Sequence, residues 1–150
     1  MQKIADKKIV NKKTASIDVG LKRIGVAMSL DGSVIFPQDA ILRINRNQAA
    51  REVVEFLVEW EIERLVVGLP KGGSSEEEME RRIKHFISLL ELQNIESKNI
   101  EVVYQDEQGS SMEAKEITKG LFRHKKDGKI DSMAAKIILE RWFFKEENRA

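Results

Sequence analysis

A six-residue apolar run near the middle of the chain limits the possible folds of this sequence most strongly. Residues 64–69 read RLVVGL and are closed by Pro70 and by Gly72-Gly73. After its first residue the run has no polar side chain to turn towards water, so it predicts a strand buried on both faces of a sheet. Sheets of this kind are covered by helices on both sides, as in α/β proteins.

The segments on both sides of this strand have the periodicity of amphipathic helices. Apolar residues recur three and four positions apart over 48–60, and the capping-box pair Ser75 and Glu78 opens a second such segment. The predicted buried stripe of this second helix consists of Met79, Ile83, Phe86, Ile87 and Leu90. A strand between two helices is joined to its neighbours by crossovers, so we expect parallel strands in this part of the sheet.

Three short apolar runs precede the first helix, at 14–19, 24–29 and 33–44. The connections between them are short, which predicts an antiparallel meander. Pro37 cannot donate a backbone hydrogen bond, so it predicts that the third strand lies at the edge of the sheet.

The remaining elements complete one domain. Residues 100–105 predict a fifth strand, and two further helices are predicted to begin near Ser110 and near Ile130. This order of elements predicts a single α/β domain over 14–150, with a five-stranded mixed sheet and helices on both faces. A chain of 150 residues is long enough for one such core and too short for two.

Composition excludes several kinds of chemistry. The chain has no cysteine, which excludes disulfides, thiolate zinc sites and thiol nucleophiles. Its two histidines leave little scope for a metal site built from histidines. Carboxylates, hydroxyls, amines and backbone amides remain. With no apolar run of 18 residues and a basic first segment without an apolar stretch, we expect no membrane span, no secretory signal and a cytoplasmic protein.

Although the net charge is only +1, the sequence contains two clusters of basic residues. One is a basic segment over 1–13, which we expect to be solvated and disordered. The other is a predicted loop near the end of the chain. Its members are Arg123, Lys125, Lys126 and Lys129. Each cluster alone is more typical of a solvated segment than of a binding site. In a protein that binds nucleic acid, the same residues would contact phosphates irrespective of base sequence.

Four acidic residues stand where a carboxylate needs an explanation. Asp18 lies inside the first strand, Asp106 and Glu107 follow the fifth strand, and Asp131 opens the last helix. Each has an ordinary interpretation, as a turn residue, a loop carboxylate or a helix cap. Together they also indicate a shared ligand site, because ligands of open α/β sheets bind beyond the carboxyl ends of the strands. Carboxylates that converge there repel one another unless a cation binds, and oxygen ligands favour Mg²⁺ or Mn²⁺.

Four ordered motifs carry a family resemblance over about residues 14–143. They are SIDVGLKRIGVAMS (16–29), VVGLPKG (66–72), DEQGSSMEAKEI (106–117) and KIDSMAAKIILERW (129–142). This set closely resembles the YqgF family, bacterial proteins related to Holliday-junction resolvases and described as nucleases that mature the end of precursor small-subunit ribosomal RNA. The resemblance implies a ribonuclease H-like fold, with strand order 3-2-1-4-5.

The resemblance also implies roles for particular residues. Asp18, Asp106 with or without Glu107, and Asp131 would be the catalytic metal ligands for Mg²⁺ or Mn²⁺. The residues expected to contact nucleic acid are Lys22, Arg23, Lys71, Arg123, Lys125, Lys126 and Lys129. Gln108 departs from the family pattern, which usually has Arg there, so a contact to substrate is weakened at that position.

Three alternatives to a ribosomal RNA nuclease stay open. A Holliday-junction resolvase would cut branched DNA and needs two symmetric active sites, whereas the sequence predicts a monomer or a weak homodimer. An ATP-binding lobe of the actin type also begins with an Asp-x-Gly turn, but it requires a second lobe that 150 residues do not supply. A non-catalytic nucleic-acid-binding module would share the fold without cleaving its ligand.

Overall fold

The computed structural model describes residues 12–70, 76–95, 98–106 and 129–147. Three strands come first in the chain, and helices alternate with the strands after them. The elements are β1 (Thr14–Val19), β2 (Arg23–Ser29), β3 (Phe36–Leu42), α1 (Arg46–Glu59), β4 (Arg64–Leu69), α2 (Glu76–Glu91), β5 (Glu101–Asp106) and α3 (Lys129–Glu147). The predicted cap at Ser75 and the helix predicted from Ser110 lie outside the described residues, as do 1–11 and 123–128.

The five strands form one sheet in the order β3-β2-β1-β4-β5. The pairs β1–β2 and β2–β3 are antiparallel, and β1–β4 and β4–β5 are parallel. The predicted meander, the parallel strands and the edge position of the Pro37 strand are therefore confirmed. Because β1, β4 and β5 run in the same direction, their carboxyl ends meet at one edge of the sheet.

Helices α1 and α2 cover one face of the sheet and bury most of the apolar core. Val53 and Leu57 of α1 and Phe86 of α2 belong to the same buried cluster as Ile17 and Leu65 of the central strands. The prediction that Met79 is buried is wrong, since this side chain is 42% exposed. Helix α2 begins at Glu76, so Met79 lies in its first turn, and burial starts one turn later at Ile83.

Helix α1 begins earlier than the apolar periodicity predicts. Asn45 caps it by accepting a hydrogen bond from the backbone N–H of Gln48, and the Gln48 side chain accepts from the backbone N–H of Asn45. This reciprocal capping box starts the helix at Arg46, two residues before the first position of the predicted helix.

Helix α3 covers the opposite face and is buried along most of its length. Its buried residues are Ser132, Ala134, Ala135, Ile137, Ile138, Leu139, Trp142 and Phe143. Trp142 also receives a charged neighbour, because the guanidinium of buried Arg64 lies 4.7 Å from its ring centroid. The Glu101 carboxylate forms a salt bridge with the same arginine, with its Oε1 3.0 Å from Arg64 Nε. No described helix is long and apolar enough to cross a membrane.

The first turns of α3 dock directly onto β1 and β2. Ser16 Oγ donates a hydrogen bond to the carbonyl of Ala135 over 2.6 Å, and Ser132 Oγ accepts one from the backbone N–H of Val26 over 3.3 Å. Next to the second of these bonds the helix lies so close to Gly25 that a Cβ there would stand 2.0 Å from the carbonyl oxygen of Asp131. Only glycine allows this approach.

The Gly25→Ala variant should therefore be strongly destabilised. A methyl group at this position collides with helix backbone rather than with a movable side chain, so α3 must shift away from the sheet. Overpacking of this kind costs about 1–3 kcal/mol or more. Urea unfolding measures the loss, and a variant with unchanged unfolding free energy would contradict the close docking of α3.

Candidate metal and nucleic-acid site

Asp18 lies in a row of residues that runs across the sheet, and its two neighbours in that row are glycines. On one side it pairs with Gly25 of β2. On the other side β1 pairs with β4 up to Ile17 and Val67, and the next step of this register places Asp18 beside Gly68. Gly68 in turn pairs with Gln105 of β5. The carboxylate thus stands in a row where its nearest neighbours have no side chains.

This row faces α3. Ser16, two residues before Asp18 in β1, donates to the backbone of α3, and side chains two apart in a strand lie on the same face. Val66 and Val103, two residues before Gly68 and Gln105, also pack against the apolar residues of α3. Asp18, Gly68 and Gln105 therefore share the α3 face of the sheet.

Asp131 meets Asp18 at Gly25. It lies in the first turn of α3, and its backbone is in close contact with Gly25, the strand partner of Asp18. Burial raises the pKa of the Asp131 carboxyl, and the positive charge of Arg23 acts in the opposite direction on this pKa. The structure thus brings two of the predicted metal ligands to the same place, one from a strand and one from a helix.

Asp106 is placed differently. It is the last residue of β5 and pairs with Leu69, whose side chain belongs to the core under α1 and α2. Strand alternation puts Asp106 on that face, opposite to Asp18, and its side chain is exposed. Glu107 lies outside the described residues. Within the described ranges, no three acidic or histidine side chains form a group that holds a metal ion.

Gln105 is a site residue that the sequence reasoning missed. It is buried, and its Oε1 has no hydrogen-bond partner in the described part of the chain. Its Nε2 donates to the carbonyl oxygen of Asp106 over 3.1 Å, which leaves the oxygen for another group. The signal in the sequence is the polar side chain two positions after Val103, where strand alternation expects an apolar one facing α3.

These residues fit a divalent cation. Two carboxylates and an amide oxygen with no partner among the described residues are the hard oxygen donors that Mg²⁺ and Mn²⁺ prefer. Asp18 and Gln105 are two strand spacings apart, about 10 Å between backbones, and both side chains extend into this interval over Gly68. A buried amide oxygen without a donor is unfavourable, and so is a half-buried ionised carboxyl. A cation would satisfy both groups.

The basic residues predicted to contact nucleic acid are only partly described. Lys22 is exposed and Arg23 is half-buried in the hairpin that joins β1 to β2. The hairpin is closed by a hydrogen bond from the Gly20 N–H to the Arg23 carbonyl over 3.0 Å. Lys71, Arg123, Lys125 and Lys126 lie outside the described residues. Lys129 begins α3, and only its backbone is described.

Arg43 holds this hairpin to the rest of the sheet. Its Nη1 donates to the Gly20 carbonyl, and its backbone N–H donates to the Lys22 carbonyl, each over 2.8 Å. The turn next to Asp18 is therefore braced by a residue that the sequence motifs did not indicate.

Comparison with known proteins shows the family of this chain. The sequence profile of the RuvX family, described as Holliday junction resolvase, matches residues 12–145. A relative from Sulfurovum sp. (strain NBC37-1), named "Putative pre-16S rRNA nuclease", is 75% identical over 86% of this chain and 96% of its own length. A relative of the same name from Campylobacter jejuni subsp. doylei is 52% identical over 85% of this chain and 94% of its own length.

Solved structures confirm the predicted ribonuclease H-like fold. RuvC of T. thermophilus, in complex with a Holliday junction substrate, has a TM-score of 0.58 and 13% identity, over 93% of this chain and 98% of RuvC. The yeast mitochondrial Holliday junction resolvase Ydc2 has a TM-score of 0.56 and 12% identity, over 95% of this chain and 82% of Ydc2. At such identities the likeness shows the fold alone.

The pKa of Asp131 predicts a pH-dependent effect on stability. Because burial raises this pKa, the folded state favours the protonated carboxyl, so stability falls as the pH rises from the ordinary Asp value of 3.8 through the raised pKa and stays lower above it. Without divalent ions, Asp131→Asn should therefore have a higher Tm than the wild type at neutral pH. The difference should vanish below the ordinary Asp value of 3.8, where both side chains are neutral.

Thermal unfolding followed by circular dichroism at the two pH values measures this difference. Asp39→Asn is the matched control, because Asp39 is exposed on the edge strand β3, and its Tm should equal that of the wild type throughout. A lower Tm for Asp131→Asn at neutral pH would contradict the prediction.

Proposed function

Because this chain belongs to the RuvX family, described as Holliday junction resolvase, we propose that it is a nuclease that hydrolyses phosphodiester bonds with Mg²⁺ or Mn²⁺. The observation that carries the proposal is the meeting of Asp18 and Asp131 at Gly25. The proposed substrate is the end of precursor small-subunit ribosomal RNA, since relatives with 75% and 52% identity are named for it. A substrate of this kind places the protein in the cytoplasm.

The chain's own residues would hold and orient the reacting groups. Asp18 is fixed in the central strand, and Asp131 is fixed to it through the contact of α3 with Gly25. Asp18 and Asp131 would hold a divalent cation, which would supply activation of the attacking water and stabilisation of the leaving oxygen. Arg23 brings a positive charge to Asp131, and Lys22 lies exposed at the tip of the same hairpin, where it would contact a backbone phosphate.

The remaining carboxylate ligand is Asp106 or Glu107. Asp106 ends β5 at the correct edge of the sheet, but its register with Leu69 puts it on the face away from Asp18. Glu107 lies outside the described residues, and mutation of each residue distinguishes the two.

Asp18→Asn should reduce Mg²⁺-dependent cleavage of a precursor ribosomal RNA end by more than about 100-fold, since even residues that only orient a metal ligand contribute about 10–100-fold. Gel analysis of the end-labelled RNA measures the rate, and Asp39→Asn should cut like the wild type. A wild type that cuts no faster than Asp18→Asn would refute the nuclease proposal. Of Asp106→Asn and Glu107→Gln, the variant that matches Asp18→Asn identifies the ligand.

Gln105→Leu tests the cation site without any measurement of cleavage. Leucine has a similar size but no oxygen, so the affinity for Mn²⁺ in calorimetry should fall about tenfold or more. In the absence of metal, the unfolding free energy of the same variant should stay within about 1 kcal/mol of the wild type, because the loss of the Nε2 hydrogen bond to the Asp106 carbonyl is offset by removal of a buried oxygen that has no partner among the described residues. Gln105→Glu should retain Mn²⁺ binding. An unchanged Mn²⁺ affinity in Gln105→Leu would exclude Gln105 from the site.

Branched DNA is the second candidate substrate, because the description of the family names Holliday junctions. Resolution of a four-way junction requires two symmetric active sites and therefore a dimer. Cleavage of a synthetic junction, together with a dimer in sedimentation, would favour this substrate over RNA. Binding of either nucleic acid without metal-dependent cleavage would instead favour a non-catalytic module.

A further inference from the structure

Four nitrogen-rich side chains come together on the side of the sheet that α1 and α2 cover. Arg43 follows β3, Arg46 is the first residue of α1, and Arg82 and His85 belong to α2. Arg46 Nη1 lies 3.0 Å from His85 Nε2, and the Arg43 guanidinium lies 5.6 Å from the ring centroid of Phe86. We call these four residues the arginine surface. The motifs of the sequence did not indicate it, because its members are up to 42 positions apart.

The positive charge of this surface is only partly neutralised. Arg82 pairs with Glu78 over 2.6 Å. Arg43 and Arg46 form no ion pair with any described residue, and burial, followed by the charges of Arg46 and Arg82, lowers the pKa of Arg43. An arginine has only donors, so His85 Nε2 must accept from Arg46, and His85 adds no negative charge. The positive charges of neighbouring arginines repel one another, and a bound anion would reduce this repulsion.

The position of the surface relates it to the metal site. Arg43 donates to the Gly20 carbonyl, two residues after Asp18, so the surface and the acidic residues share one edge of the sheet. Asp18 and Asp131 lie on the α3 face of that edge, whereas Phe86, under Arg43, belongs to the core on the other face. The hairpin that carries Lys22 lies between them. An anion on the arginine surface is therefore beside the reacting phosphate and does not replace it.

We propose that the arginine surface binds backbone phosphates of the nucleic acid that flank the cleaved bond, so that the strand passes around the hairpin from one face of the sheet to the other. This inference rests on the proposed nuclease function and adds a binding surface to it. Guanidinium groups suit phosphate oxygens because they donate two parallel hydrogen bonds. Contacts of this kind position the nucleic acid and do not read its base sequence.

The test is the salt dependence of binding in a background that cannot cut. All variants carry Asp18→Asn, and the probe is a fluorescent precursor ribosomal RNA end, measured by anisotropy at several salt concentrations. Arg46→Ala/Arg82→Ala should bind more weakly, and the slope of log K against log salt should become shallower by about 1.4–1.8, since each of the two lost phosphate contacts contributes about 0.7–0.9. Arg43 is left in place because it braces the hairpin.

The matched control is Arg51→Ala/Arg81→Ala, which removes the same charge from the same two helices at exposed positions outside the surface. Arg51 pairs with Glu55 four residues away, as Arg82 pairs with Glu78, so the control also removes one intrahelical ion pair. Its slope should equal that of the parent, and Arg46→Lys/Arg82→Lys should restore most of the binding.

An equal slope in Arg46→Ala/Arg82→Ala and the parent would overturn the inference, and so would an equal loss in the control pair. Failure of the underlying nuclease proposal is detected by a different measurement, the cleavage assay. In that case the protein without Asp18→Asn shows no metal-dependent cleavage, whatever the slopes are. If cleavage is present and the slopes are equal, the arginine surface alone is refuted.

Discussion

The close approach of α3 to β2 at Gly25 is the constraint on which the candidate site depends. A helix at this distance from a strand leaves no space for a Cβ, and the hydroxyls of Ser16 and Ser132 join the two elements through backbone groups. These contacts place Asp131 at a defined point beside Asp18, although the two are 113 positions apart in sequence. Any change that moves α3 would alter the distance between two charges, and a cation site tolerates little change in that distance.

At this edge the two faces of the sheet carry side chains of opposite charge. On the α3 face, Asp18 and Asp131 share the surface with the buried amide oxygen of Gln105, so the charge and the lone pairs favour a cation. On the other face, burial together with the charges of Arg46 and Arg82 lowers the pKa of Arg43, so the charge favours an anion. The hairpin at Gly20 joins the two faces. A nucleic-acid strand with its reacting phosphate on the α3 face and a flanking phosphate at the arginines would satisfy both.

Local patterns predicted most of the fold because each of them reports one physical requirement. The run at 64–69 is buried on both faces, as its composition predicts. Of the residues predicted to be buried in α2, only Met79, in the first turn, is exposed. Residues whose role depends on distant partners escaped prediction. Arg64 is buried at the start of β4 because Glu101 and the Trp142 ring compensate its charge, and neither partner is near it in sequence.

The sequence by itself determined the order of the elements, the parallel central strands and the identity of the acidic residues at the strand and helix ends, since periodicity, turn residues and family motifs are local properties. Only the tertiary structure decided which of those residues meet. It joined Asp18 and Asp131 across Gly25, added Gln105 to their face and placed Asp106 on the other. The reason is that strand register and helix docking set these positions, and both depend on contacts between segments far apart in the chain.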